Sequence, residues 1–275
     1  MLVIYDNDPD GCCAAFCVAK AIKEKIYKVN ESRISFMAGD YGKSFPFQKV
    51  IPGETVVILD FSIPPEDMTK LFEMGCKVIW CDHHISAIEQ FKDVLNDIGG
   101  IQDTNYCSAA LAFKYFFNTD TLPDFVALVD DFDRWVWQYK AKTWHFILGI
   151  QTVDLNPITG DWENIIKDIT PYIEKGKVVD AYQRRFFKEN HNHLFMTEFE
   201  GQPTLVANTH GRGNFLFLGH PDYDKAVIRM IYYRTGDKFK FSIFSSKIDV
   251  SKIATKYGGG GHPGAAGFMS DKVPF

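Results

Sequence analysis

The sequence predicts an α/β fold, with a parallel sheet carrying helices on both faces in the N-terminal half and a smaller α/β domain at the C-terminus. Three observations lead there. Short apolar, β-branched runs alternate with helical stretches through roughly the first half of the chain, the pattern of a sheet built by crossover connections. Three of those runs end in acids or histidines. Beyond residue 160 the chain turns helical and charged, and β-rich segments resume only after residue 200.

Taken in order, "MLVIY" reads as a buried strand and "GCCAAFCVAKAIKEKI" as a helix with small residues near its start. "RISFMAG" is a second strand, and "TVVILD" a third that ends in Asp60. "PPEDMTKLFEMG" is a helix with proline at its start and Gly75 at its end. "KVIWCDHH" is another strand; "SAALAFKYFF" and "DFVALVDDF" are helical. The charged stretch from about 160 to 196 reads as a connector, and "RTGDKF" as a hairpin turn between β-rich flanks. The division expected is therefore 1–155, a helical connector 156–198, and 199–275.

Composition narrows the classes. With 275 residues, 46% hydrophobic and 24% charged, the chain can bury a sizeable core. The longest apolar runs are too short to cross a bilayer, and "MLVIYDND" lacks a basic segment before an apolar one. A cytoplasmic location is the expectation. The cysteines at 12, 13, 17, 76, 81 and 107 form no C-x-x-C pair and sit among apolar neighbours, so buried free thiols are expected rather than zinc. Residues 1–171 hold 15 basic and 25 acidic side chains, a net of −10, whereas residues 172–275 hold 15 and 10, a net of +5. Long duplex nucleic acid is a poor partner for so acidic a chain; a small phosphorylated substrate needs no broad basic face.

The strand ends carry the chemistry. In an open parallel sheet, sites form at the carboxyl ends of the strands. Here those ends deliver Asp6, Asp8 and Asp10 in "DNDPDG", then Asp60, then Asp82, His83 and His84. Acids at every second position repel one another unless cations lie between them. Hard divalent ions prefer oxygen ligands, and manganese also accepts imidazole. Two adjacent ions of that kind activate water and clamp an in-line displacement at phosphorus. One more carboxylate is expected from "VALVDDFDRW", where Asp130, Asp131 and Asp133 cluster at a helix end. Near the C-terminus, "YGGGGHPGAAGF" frees backbone amides at Gly258 to Gly261 to approach an anion, with His262 beside them.

These five elements, in this order, resemble the DHH/DHHA1 phosphoesterase superfamily through nearly the whole chain. "DNDPDG" is similar to its RecJ-type branch; "VDDFDRW" and the glycine-rich ending are similar to its nanoRNase B-type branch. The resemblance implies an N-terminal DHH domain with two manganese ions, replaceable by magnesium, and a DHHA1 domain that binds a substrate phosphate. It implies Asp8 and Asp10 as paired ligands, Asp6 at a position that is Asp or His among members, and Asp60 as the bridging carboxylate. His83 matches a metal ligand, His84 a group beside the scissile phosphate, and Asp82 a residue that orients a histidine. Asp131 matches the last ligand, with Asp133 close by. Gly259, Gly260, Gly261 and His262 match the phosphate-holding loop. Many members carry an arginine in the strand before that loop; Phe244 stands there in "FSIFSS", which leaves Arg212 and Arg229 as replacements.

The expected activity is hydrolysis of short single-stranded oligonucleotides to nucleoside monophosphates. The same fold allows a cyclic dinucleotide, adenosine bisphosphate, pyrophosphate or polyphosphate as substrate, or a nucleotide-binding module without turnover.

Overall fold

The computed structural model describes residues 1–275 except 30–32, 40–43, 93–97 and 211–212. The chain divides into two compact units, Met1–Asp180 and Ala181–Phe275.

In the first unit, strands β1 (Leu2–Tyr5), β2 (Ser35–Ala38), β3 (Thr55–Leu59) and β4 (Lys77–Cys81) form a parallel sheet in the order β2-β1-β3-β4. Side chains alternate across it. Val3, Tyr5, Val57, Leu59, Ile79 and Cys81 pack into one core with α1 (Pro9–Lys23), α4 (Ser108–Phe117), α5 (Asp124–Asp133) and α6 (Ala141–Ile150). Leu2, Ile4, Val56, Ile58, Val78 and Trp80 face a second core with α2 (Pro65–Glu73) and α3 (Ile85–Phe91). Both faces are covered, which is why the strands read as unbroken apolar runs. In this strand order the chain leaves β1 toward one side and continues from β3 toward the other, so the switch point lies between them.

The stretch expected to be a connector behaves otherwise. Trp162, in α7 (Trp162–Ile165), is 1% exposed and stacks on Phe16 with ring centroids 5.6 Å apart. Ile165 and Tyr172 join the same core. The apolar residues spaced through that charged segment therefore carry the first unit on to Asp180, and the division falls inside the long helix α8 (Thr170–Asn190).

The second unit holds a six-stranded sheet in the order β5-β6-β7-β8-β10-β9. Its strands are β5 (Phe195–Phe199), β6 (Gln202–Asn208), β7 (Ile228–Thr235), β8 (Lys238–Phe244), β9 (Gly260–His262) and β10 (Ala265–Ser270). Only β6 and β7 pair in parallel. Helix α9 (Ser251–Lys256) covers one face through Ile253 and Ala254. The other face is covered by Phe187, Leu216 and Phe217. The hairpin at "RTGDKF" forms as expected, with Thr235 opposite Lys238 and Gly236 at φ 59°. Strand β5 escaped the sequence reading because it is an edge strand whose Phe195 and Met196 are exposed, so it lacks clean alternation. All six cysteines are buried and free. Among the described residues no helix is long and apolar enough to cross a membrane.

Candidate metal centre

The site grows from the carboxyl ends of β1, β3 and β4. After β1 the backbone turns sharply into α1, and Asp8 caps that helix by accepting the Gly11 N–H at 2.9 Å. The turn is tight enough that a Cβ on Gly11 would lie 2.2 Å from the Asp6 carbonyl oxygen, so only glycine fits there. Asp10, in the first turn of α1, is 1% exposed. Its two oxygens accept the N–H groups of Ser108 and Ala109, at 2.9 and 2.7 Å, at the start of α4. The helix end thereby fixes the carboxylate.

Asp60 follows β3 with φ 52°, a conformation costly for a residue with a Cβ. It is 3% exposed and accepts the Ser108 hydroxyl at 3.1 Å. After β4, Asp82 is wholly buried. Its Oδ1 accepts the backbone N–H groups of His83 (2.7 Å) and His84 (3.1 Å) and the His84 Nδ1–H at 2.7 Å. Asp82 and His84 are thus in direct contact, and an accepting carboxylate at that distance favours the tautomer with Nδ1 protonated. Its Oδ2 is buried with no hydrogen-bond partner among the described residues.

His83 is the hub. Its Nε2 lies 3.3 Å from an Asp133 oxygen, 3.5 Å from Asp60 and 3.9 Å from Asp10. Three overlapping groups have ligand atoms within 4.8 Å of one another: Asp10–His83–Asp133, Asp60–His83–His84 and Asp6–Asp8–Asp60. Asp60 belongs to two of them, which suits a bridging carboxylate.

Asp131, expected as the last ligand, is not in this cluster; Asp133 is. Asp131 is 3% exposed, and its carboxylate accepts the Gln138 N–H at 2.6 Å, the Tyr139 N–H at 3.2 Å and the Thr143 hydroxyl. Those donors hold the loop after α5 and leave the group turned away from the cluster. Residues 131 and 133 point to nearly opposite sides of a helix, so only one can face the sheet. Asp133 continues the i, i+4 row of Phe125 and Val129, both core residues. That row is the feature in the sequence that selects it. Asp130 is engaged elsewhere, accepting the Cys107 N–H at 2.6 Å and a two-bond contact from Arg134.

The electrostatics fit a cation. Burial first, then the neighbouring carboxylates, pushes Asp10 and Asp60 well above the ordinary carboxylate range. Asp6 is raised for the same reasons, and burial moves Asp133 up to about 6. Buried acids crowded this closely, with an orphaned oxygen on Asp82, form a donor set suited to hard divalent ions.

In the second unit the glycine run is less open than its sequence suggests. Gly258 and Gly259 donate their N–H groups to the Thr255 and Ala254 carbonyls, closing α9. A Cβ on Gly259 would lie 2.0 Å from the Gly267 oxygen. Gly259 therefore serves close packing, and the expectation that its amide meets an anion is not met. Gly260, Gly261 and His262 are an exposed edge strand paired with β10. Arg212 lies outside the described residues. Arg229 is 4% exposed, donates Nε–H to Asn214 Oδ1 at 2.8 Å, and lies over the Tyr223 ring. It has no carboxylate partner among the described residues, and it sits directly across from Phe244. Phe244 in turn pairs with Ala265, and Ala265 with His262, so these four share one row of the sheet.

Comparison with known proteins agrees with this layout. The DHH family, N-terminal domain, matches residues 1–129, and the DHHA1 domain matches residues 219–274. Oligoribonuclease NrnB of Bacillus subtilis is 25% identical over 255 residues, covering 80% of this chain and 60% of that protein. The chain spans only 55–60% of the length of the curated relatives it matches. The solved structure of the pGpG-specific phosphodiesterase PggH from Vibrio cholerae superposes with a TM-score of 0.51 at 15% identity, covering 98% of this chain and 92% of that one. Exonuclease RecJ bound to manganese gives 0.52 at 12% identity, covering 98% and 85%. With both domains present in order, and the acids and histidines of the first gathered at one sheet edge, the chain belongs to the DHH/DHHA1 phosphoesterase superfamily.

Proposed function

We propose that the protein is a metal-dependent phosphodiesterase that releases nucleoside monophosphates from short single-stranded oligonucleotides. The observation that carries this reading is the convergence of Asp6, Asp8, Asp10, Asp60, His83 and Asp133 at the β1/β3 switch point. Asp10, His83 and Asp133 would hold one divalent ion; Asp6 and Asp8 would hold the other, with Asp60 between them. Manganese suits this mixed oxygen and imidazole set, and magnesium suits its oxygen-rich part. The ions would supply Lewis-acid stabilisation of phosphoryl charge and a water acidic enough to react at neutral pH.

The chain's own residues do the rest. Asp82 holds His84 through Nδ1, so a protonated His84 presents Nε2–H to a phosphoryl oxygen as charge builds there. Crowded acids offer a phosphate no attraction without cations, which makes metal loading a precondition for admitting one. In the second unit, His262 and Arg229 are the groups we assign to a substrate phosphate, with Gly260 and Gly261 allowing its approach. Support for a short nucleotide substrate comes from the oligoribonuclease and pGpG phosphodiesterase names among the similar proteins. Manganese is supported by the RecJ structure.

The test is a product profile with Mn²⁺ on a 5′-labelled dinucleotide and on a single strand of about 20 nucleotides, longer than the usual site of one single-strand-binding fold. Asp133→Asn is the inactive control. Rapid conversion of the dinucleotide with little attack on the long strand is the expected result. Preferential degradation of the long strand would overturn the short-substrate assignment. Cleavage of neither would end the oligonucleotide reading.

A further inference from the structure

The loop after α5 follows directly on Asp133, a member of the candidate ligand cluster, and presents an unusual surface. Trp135 lies two positions beyond Asp133, a span of at most about 7 Å along the backbone. Trp135 is 52% exposed, Val136 48% and Tyr139 42%. Large apolar side chains grouped on the surface call for an occupant in a way that scattered ones do not. The backbone is committed to this display. Trp135 and Trp137 both have positive φ, 57° and 59°, a backbone conformation costly for a residue with a Cβ. Asp131 over-determines that geometry. Its carboxylate takes Gln138, Tyr139 and Thr143, and its carbonyl accepts the Val136 N–H at 3.0 Å. Trp137 packs inward, edge-on to Phe132 at 5.8 Å, and Trp135 meets it edge-on at 5.6 Å.

Charge at the loop bears on what the occupant is. Both ends of the Arg134 guanidinium fork are bound to Asp130, Lys142 pairs with Asp124 at 3.0 Å and lies 6.0 Å from the Tyr139 ring centroid, and Lys140 is exposed at the far end of the loop from Trp135. Beside Trp135 the guanidinium is already paired, so this end of the loop offers an indole face rather than a bidentate phosphate clamp.

We propose that Trp135 stacks against a nucleobase of the nucleotide whose phosphate is held at the metal cluster, making it a specificity-determining residue for nucleotide over inorganic phosphoester substrates. This rests on the function proposed above and names the part of the substrate that the first unit reads. Every base has a π-face, so such a platform accepts all four bases.

The experiment compares a dinucleotide with the same molecule lacking one base, in wild type, Trp135→Ala and Trp135→Phe. Stacking one base is worth a factor of about 5 to 150. Trp135→Ala should lose that factor in kcat/KM on the intact dinucleotide, mainly through KM, and change less than about twofold on the abasic one. Trp135→Phe should recover most of the loss. Equal losses on both substrates, or no loss on either, would overturn the proposal. Affinities for adenosine 5′-monophosphate and ribose 5-phosphate, measured by calorimetry, give the same comparison without turnover. A wild type that cuts no dinucleotide refutes the proposed function, while the platform stands or falls on whether Trp135→Ala abolishes the preference for the base-bearing ligand.

Discussion

Asp10, Asp60 and Asp82 in the first unit are at most 3% exposed, whereas His262 in the second lies on an exposed edge strand of three residues. The first set is held by helix starts, a buried serine and the carboxyl ends of a parallel sheet. The second is an edge strand paired with β10, and Gly259 lets strand and helix approach. Burying charge needs many fixed partners, so the metal centre is over-determined. A strand that is to meet a substrate from outside needs exposure, and the glycine–histidine strand has it.

That contrast can be broken at several points. Asp60→Asn should reduce Mn²⁺-dependent turnover about a thousandfold or more, because it removes a charge shared by two ligand groups and several kcal/mol of transition-state stabilisation. A steady-state assay at saturating metal checks this, and near-normal turnover would contradict it. Asp82→Asn should cost roughly 10- to 100-fold, since it disturbs the orientation of His84 while sparing the ligand groups. A loss as large as that of Asp60→Asn would make Asp82 a ligand instead.

The glycine run offers a sharper comparison. Gly259→Ala places a Cβ against the Gly267 carbonyl and should destabilise the protein by about 1–3 kcal/mol in denaturant unfolding. Gly260→Ala has no atom within 4 Å of the added carbon and should unfold as the wild type does. A fall in phosphate affinity confined to Gly260→Ala would show that an anion approaches its backbone.

The smallest effect concerns pH. Asp133 has a folded-state pKa of about 6 against 3.8 for the ordinary group. A carboxylate with a raised folded pKa binds more protons folded than unfolded. Its stabilising protonation is therefore present in acid and is lost as pH rises from about 4 to 6. Asp6, Asp10 and Asp60 act in the same direction. Added Mn²⁺ should then raise Tm by more degrees at pH 7.5 than at pH 5, by differential scanning fluorimetry. An equal or smaller rise at pH 7.5 would contradict this.

The parallel sheet and its chemistry-bearing strand ends were legible in the sequence because β1, β3 and β4 are buried on both faces and read as unbroken apolar runs. The tight approach at Gly11 and the left-handed Asp60 were not, since both arise from contacts across the switch point. Asp133 rather than Asp131 falls in the candidate ligand groups, and residue order shows that three acids are near a helix end but not which one faces the sheet. The i, i+4 row of Phe125, Val129 and Asp133 held the answer. At Gly259, composition showed freedom where the fold uses the missing side chain for packing.

The central claim is that Asp133, and not Asp131, completes the metal centre. Calorimetric titration of Mn²⁺ into wild type, Asp133→Asn and Asp131→Asn tests it directly. The account predicts that Asp133→Asn weakens or loses one of two ions, while Asp131→Asn keeps wild-type metal binding and is destabilised by about 1–3 kcal/mol through its unpaired loop donors. Loss of an ion in Asp131→Asn with full binding in Asp133→Asn would contradict it.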